Sequence, residues 1–235
     1  REGVAALFTY IPAVLYAGSW VFLEETRGSW PGLIAALAWV GAIATVYCTG
    51  QIYASLPTIR QWNQALTTPV YLVFALASGA LFLNVLIRGF GGAEQWCDIL
   101  VILSLVAAWA LKGSYWRVID TARERHTVET ATGLGALGKV RLLDPPHSSE
   151  NYLMREMGFK IARKHAQRLR RIAQMLGLFL PLVATAVMLQ ADGGLGILLA
   201  GIALVSGMIG IALERWLFFA QAKHTVQLYY GEEAA

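Results

Sequence analysis

The sequence has only two cysteines, Cys48 and Cys97, set far apart and without a Cys-x-x-Cys pair. Iron–sulfur clusters and structural zinc want about four clustered ligands, so the chain by itself is expected to hold neither. Nothing in the spacing argues for a disulfide. Charge is scarce too: 14% of residues are Asp, Glu, Lys or Arg, against about 25% in an average soluble domain. Histidine is scarcer still. His126, His147, His165 and His224 are the full set, and all lie outside the apolar runs. A haem b between helices takes axial histidines from within the bundle, so these spans are expected to be haem-free.

Apolar residues are what the chain has in quantity, 57% of 235, with a mean hydropathy of +0.53. A hydrocarbon core about 30 Å thick needs about 20 apolar residues per helix. Six runs approach or meet that length: Gly3 to Leu23, Gly32 to about Ser55, Val70 to Ile87, Trp96 to Leu111, Ile172 to Gln190, and Leu195 to Leu213, with the last helix continuing to about Gln221. The predicted fold is therefore an all-α, polytopic transmembrane helix bundle. Residues 1–112 carry four spans, 113–171 a basic loop with an amphipathic helix, and 172–235 two spans and a tail. Pro12 and Pro181 fall inside spans and predict kinks. Because the chain starts at Arg1 rather than Met, further spans are expected upstream.

The charge that is present is unevenly placed. Between Gly113 and Arg171 lie 12 of the 19 Lys and Arg residues. A pI near 9.2 invites a nucleic-acid reading, but in a membrane protein basic loops follow the positive-inside rule. The connection Glu24-Glu25-Thr26-Arg27 is net acidic, Gly89 to Gln95 holds only Glu94, and Ala191 to Gly194 holds only Asp192. The alternate connections hold Arg60 and the basic segment. These loops and both chain ends are thus expected on the cytoplasmic face of a bacterial inner membrane. Trp30, Trp62, Trp96, Trp116 and Trp216 fall near span ends, as an aromatic belt predicts.

The basic segment is not low-complexity. Thr130 to Gly135 reads as a turn-rich loop, and Leu142 to His147 as extended chain, because residues before proline avoid the helical region. From about Ser149 a helix is predicted, with Leu153, Met157 and Ile161 on one face and cations elsewhere. Two readings stand: contact with anionic lipid, or a docking surface for a soluble partner built on Lys139, Arg141, His147, Tyr152, Arg155 and Phe159.

Within the spans, polar groups are few. Glu214 and Arg215 follow directly on the last apolar run and read as an interfacial anchor pair. Arg215, Phe219 and Lys223 then share a face of the continuing helix. Asn84 and Gln51 read as interhelical hydrogen-bonding groups. No charge is expected mid-span, which argues against a transporter, since such proteins carry polar groups at the midplane. At the end of the second span, Tyr53, Arg60 and Trp62 cluster where a quinone headgroup would sit, with Tyr53 and Arg60 as donors to its carbonyls.

The stretch Ile52-Tyr53 to Leu56-Pro57-Thr58, then Trp62, then Thr68-Pro69, resembles the DMSO reductase membrane-anchor family. So does the closing stretch Glu214-Arg215-Trp216-Leu217-Phe218-Phe219 with His224, and Arg1-Glu2 matches a motif opening that family's third span. The resemblance implies about eight spans of about 20 residues each. It implies a quinone-reactive subunit with no redox cofactor of its own, bound to an iron–sulfur subunit and a molybdopterin catalytic subunit. Glu2, Tyr53, Arg60, Trp62, Arg215 and His224 are the quinone-site residues that follow. The long insert from Glu129 through Gly133, Lys139-Val140-Arg141, Pro145-Pro146-His147, Asn151-Tyr152 and Glu156 to Phe159 is similar to the branch associated with sulfite dehydrogenases of the Soe type. That branch implies sulfite oxidation coupled to quinone reduction. The alternatives are an anchor of a reductase that oxidises menaquinol, and a small-solute transporter.

Overall fold

The computed structural model describes residues 1–23, 28–122, 127–141, 143–144, 159–191 and 193–230. Six helices are long and apolar enough to cross a membrane, and no strand occurs among the described residues. In hydrocarbon a backbone must satisfy its own hydrogen bonds, which leaves the helix as the solution for apolar runs of this length.

Helix α1 spans Glu2–Leu23, α2 Ser29–Ala54, α3 Thr67–Gly89 and α4 Gln95–Thr121. Short helices α5 (Val128–Thr132) and α6 (Lys160–Lys164) flank the middle of the basic segment. The fifth span is composite: α7 (Ala166–Gln174), a π-helical turn over Met175–Phe179, then α8 (Leu180–Met188). The sixth is α9, Gly193–Ala220, followed by a 3-10 turn over Thr225–Tyr230.

The six predicted spans are present as helices, with three instructive differences. First, α4 does not stop at Leu111. It runs ten residues further, to Thr121, because Lys112 is an interior residue. Second, α1 continues through Pro12, while Pro181 sits in the first turn of α8, just after the π turn. That turn has a visible cause. Trp109 on α4 donates its indole N–H to the carbonyl of Gly177 at 2.9 Å, pulling one carbonyl toward α4. A Cβ on Gly177 would meet the Trp109 ring at 2.5 Å, and one on Gly210 would overlap the Gly177 backbone. Two glycines thus let α9 touch the fifth span, backbone against backbone, as small residues do in membrane bundles. Third, the last helix ends at Ala220, so Arg215, Phe219 and Lys223 do not share a helix face.

Four spans form a packed core: α3, α4, the fifth span and α9, with 33–44% of their most apolar windows buried. Helices α1 and α2 pack mainly on each other, at 6% and 0% by the same measure, and join the core through α2 against α3. Gly50 lies close against Thr68 there, where an added Cβ would stand 3.0 Å from the Thr68 backbone.

One end of the bundle is polar and interlaced. Arg163 donates to the carbonyls of Ala220 and Ala222 at 3.1 and 2.8 Å, closing the end of α9. Thr225 donates to Thr58 at 2.6 Å, and the Lys223 N–H to Gln61 Oε1 at 3.1 Å. Helix α5 opens on a Thr127–Thr130 capping box and closes on Gly133 in the left-handed region (φ 71°), so a short helix stands inside the stretch read as a loop. Tyr229 reaches back to Ala131 at 3.4 Å.

Candidate functional site

Four of the six predicted quinone-site residues converge at this polar end. The Tyr53 ring, on the last turn of α2, lies 5.1 Å from that of Trp62, 5.7 Å from Tyr71, and 5.4 and 5.5 Å from Phe218 and Phe219. Trp62 stacks on Phe218 at 5.5 Å, stands edge-on to His224 at 5.5 Å, and donates its indole N–H to the Phe218 carbonyl at 3.0 Å. The Arg215 guanidinium lies 4.4 Å above the Tyr71 ring. Aromatic pairs at these separations add packing energy beyond simple burial. Glu2 is elsewhere, accepting a hydrogen bond from Thr49 at 2.6 Å across the α1–α2 pair. Arg60 sits on the turn after α2, outside the ring cluster.

This assembly corrects the belt reading for two tryptophans. Trp62 and Trp116 are 7% and 6% exposed, whereas Trp30, Trp96 and Trp216 are 42–54% exposed and remain at the apolar surface. Burial of His224 and the charge of nearby Arg163 push its pKa below the ordinary histidine value.

Glu214 and Arg215 are not an interfacial anchor pair. Glu214 is fully buried and sits 2.5 Å from Lys112 Nζ. Arg215 grips the same carboxylate twice, at 2.5 Å through Nε and 2.8 Å through Nη2. Two cations therefore share one carboxylate inside the bundle, and Lys112 also lies 3.8 Å over the Tyr115 ring. Further along α4, Asp120 takes a two-pronged bond from Arg170 at 2.5 and 3.0 Å. Trp116 lies between the pairs, its ring 5.5 Å from Lys112 Nζ and 5.0 Å from the Arg170 guanidinium. The expectation that no charge sits within a span is overturned. Lys112 looked like a span terminus because its partner lies 102 positions away in sequence. Asn84 does make the interhelical bond read for it, donating to Asp98 at 2.6 Å.

The rings of the cluster stand in mutual contact, and none of them lines the cleft formed between α2 and α3. That cleft of about 580 Å³ is lined by Tyr47, Gln51, Asn63, Gln64, Thr68 and Leu72, among others, a volume typical of small-molecule sites. Asn63 and Gln64 donate their amide N–H groups to the carbonyls of Ala54 and Gln61, at 2.6 and 2.9 Å. The Gln64 amide is thereby held with its oxygen uncommitted. Gln64 Oε1 and Thr68 Oγ1 are buried with no partner among the described residues, and Thr68 is 5% exposed. Both residues line the cleft, and their unpaired oxygens, a hydroxyl that donates or accepts and an amide oxygen that accepts, are buried behind its surface. Of its lining, only Gln51 stands out in the sequence by its polarity within a span. The free polarity of Gln64 and Thr68 depends on how the α2–α3 turn consumes the neighbouring donors.

Among the proposed docking residues, Lys139 and Arg141 flank half-buried Val140, with Arg141 exposed at the polar end. Phe159 packs edge-on to Trp216, with ring centres 6.5 Å apart, in a left-handed conformation (φ 39°) that a non-glycine residue rarely adopts. His147, Tyr152 and Arg155 lie outside the described residues, as does most of the amphipathic helix expected from Ser149. No group of three or more His, Cys, Asp or Glu side chains able to hold a metal occurs among the described residues.

No family model matches the sequence, and no solved structure matches it. Among curated proteins it is similar to a subunit of the sulfite dehydrogenase of Allochromatium vinosum, at 25% identity over 241 aligned positions that cover 99% of this chain and 69% of that protein.

Proposed function

We propose that this chain is a membrane subunit of a sulfite-oxidising complex, and that it passes the electrons to a quinone. Similarity to a sulfite dehydrogenase subunit along essentially the whole chain carries the first half of this reading. Six spans capped at one end by an interlaced polar surface suit a protein that holds soluble partners against a membrane. In this reading an iron–sulfur subunit and a molybdopterin catalytic subunit dock on the polar end, which faces the cytoplasm. Lys139 and Arg141 lie on that surface.

The second half rests on the α2–α3 cleft. A quinone needs a donor to its carbonyl, and a quinol needs an acceptor for its hydroxyl. Thr68 Oγ1 would meet either need, and Gln64 Oε1 the second, once side-chain rotation turns these buried oxygens into the cleft. The headgroup would lie between Gln51 and Thr68, with its tail along apolar Leu72. Tyr53, Trp62, Arg215 and His224 then form the wall behind the site rather than its lining, and Glu2 fixes α1 to α2 at the same end.

A transporter is the second reading, because ion pairs are buried within the spans after all. Lys112 and Glu214 do not line the α2–α3 cleft, and similarity to a sulfite dehydrogenase subunit favours the redox role. The test is purification of the assembled complex from native membranes. Sulfite-dependent reduction of both quinone and ferricyanide is expected, with quinone reduction lost when this subunit is removed. A chain that purifies alone and binds no quinone overturns the proposal.

A further inference from the structure

A quinone becomes a quinol by taking two electrons and two protons, each carbonyl oxygen gaining an O–H bond. The electrons come from sulfite, which combines with water to give sulfate and releases two protons. The protons taken by the quinone must still reach a site at the edge of the hydrocarbon region. Charged side chains in a membrane interior are costly and mark such routes more often than not.

At the polar end the charges follow one face of α4, where Lys112, Trp116 and Asp120 recur every fourth residue. Asp120 is the outer end, with its side chain 46% exposed, and it holds Arg170 at 2.5 Å. Arg170 also donates to Gln221 Oε1 just past the end of α9 at 3.2 Å. Two helical turns deeper on α4, about 12 Å along the axis, Lys112 and Glu214 form the inner pair. Between them stands the Trp116 indole. Trp116 Nε1 and Arg170 Nε are both buried donors without a partner among the described residues, and Arg215 Nη1 is a third. Buried donors of this kind are the ones ordered water satisfies, and hydrogen-bonded water between titratable groups carries protons. Beyond Glu214, Arg215 lies over Tyr71, and Tyr71 stacks on Tyr53. The neighbours of these two tyrosines along the chain, Leu72 and Ala54, line the cleft.

We propose that Asp120, Lys112 and Glu214 form a proton path that opens at the polar end of the bundle and leads toward the α2–α3 cleft. The proposal rests on the quinone reading above. Asp120 collects a proton at the surface, the Arg170–Trp116 zone passes it inward, and the Lys112–Glu214 pair holds it next to the tyrosine wall. A purely structural pair would balance its charges and satisfy its donors. This one has an excess cation and three orphan donors along its length.

Asp120→Asn in the assembled complex is the gentlest break, since it keeps the shape of a half-exposed side chain. We expect kcat for sulfite:quinone reduction to fall about 100-fold, the range typical of a lost proton-transfer group. KM for quinone and the sulfite:ferricyanide rate, which needs no proton at this site, should not change. Asp120→Glu should restore most of the rate. Wild-type kcat in Asp120→Asn, an equal loss with both acceptors, or no rescue by Asp120→Glu would each overturn the path while leaving the quinone reading intact. A wild-type complex that reduces ferricyanide but no quinone overturns the reading beneath it, and the path with it.

Discussion

Among the described residues two groups of charges are buried in this bundle, one toward each end, and they are built differently. At the end away from the polar surface, Arg88 pairs with Asp98 at 2.7 Å, with side chains 6% and 3% exposed. Asn84 fills the second oxygen of Asp98 at 2.6 Å. The remaining guanidinium donors reach the carbonyls of Ala191 and Met188 at 3.3 and 3.5 Å. One cation meets one anion and the neighbours absorb the surplus donors, with the Asn84 amide oxygen alone left over among the group's described polar atoms, so the group works as a clasp between α3, α4 and the end of α8. At the other end Lys112 and Arg215 share Glu214, and donors are left over. Donors are closed off in one place and left open in the other. A closed group holds helices together, and an open one has capacity left for water, protons or a ligand.

The largest test of that contrast is Arg88→Met. It leaves Asp98 buried without its cation, which costs about 3–5 kcal/mol, and we expect thermal unfolding in detergent to reveal a sharp loss of stability. Adding Asp98→Leu should recover most of it, because a well-packed apolar pair often replaces a buried ion pair at little cost. The matching change at the other end must be triple, Lys112→Met, Glu214→Leu and Arg215→Met, because one carboxylate serves two cations there; it should leave the fold standing but abolish quinone reduction. If the double and the triple variants both keep full activity, the two groups are both structural and the contrast fails.

Next in size is Gly210→Val. A side chain there overlaps the Gly177 backbone, and overpacking of this kind costs about 1–3 kcal/mol. It also moves α9 and lifts Glu214 away from Lys112, so activity should fall more than stability. Gly201→Val on the same helix, where an added Cβ meets nothing within 4 Å, is the control.

Thr68→Val is smaller. It removes one hydrogen-bonding hydroxyl while keeping the shape, and a hydrogen bond is worth about 1 kcal/mol net. Quinone KM should therefore rise about 5-fold, by the rule of about 1.4 kcal/mol per decade. Ferricyanide reduction should hold. An unchanged KM removes Thr68 from the site.

The smallest effect expected is a pH dependence. The pKa of His224 is lowered in the folded protein, by burial first and by Arg163 second. The folded state then binds a proton less readily than the unfolded one. Its contribution to stability is present above the unfolded value, about 6.5, and is lost as pH falls through the folded value. Acidification from neutral should loosen the His224–Trp62 contact, read as a change in tryptophan fluorescence. His224→Gln should flatten that response.

The six spans were legible because each is an apolar run near bilayer length, which needs no partner to be seen. Their ends were legible only where charge and surface coincide. Lys112 ends an apolar run but not a helix. The residues after it still place Tyr115, Trp116 and Ile119 at helical spacing, a signal that α4 continues. What that spacing cannot supply is the partner, because pairing Lys112 with Glu214 is a property of how α4 meets α9. The aromatic cluster was legible in composition, as Tyr53, Trp62, Arg215 and His224 stand near span ends. Its packing and the neighbouring cleft were not, since Gln64 and Thr68 become free only after the α2–α3 turn has used the donors around them.

The central claim is that quinone meets this protein in the cleft between α2 and α3. Photolabelling of the purified complex with an azido-quinone, followed by peptide mass spectrometry, tests it most directly. The account predicts label on the segment from Tyr47 to Leu72, displaced by excess unlabelled quinone. Competable label confined to other helices or to a partner protein would contradict it.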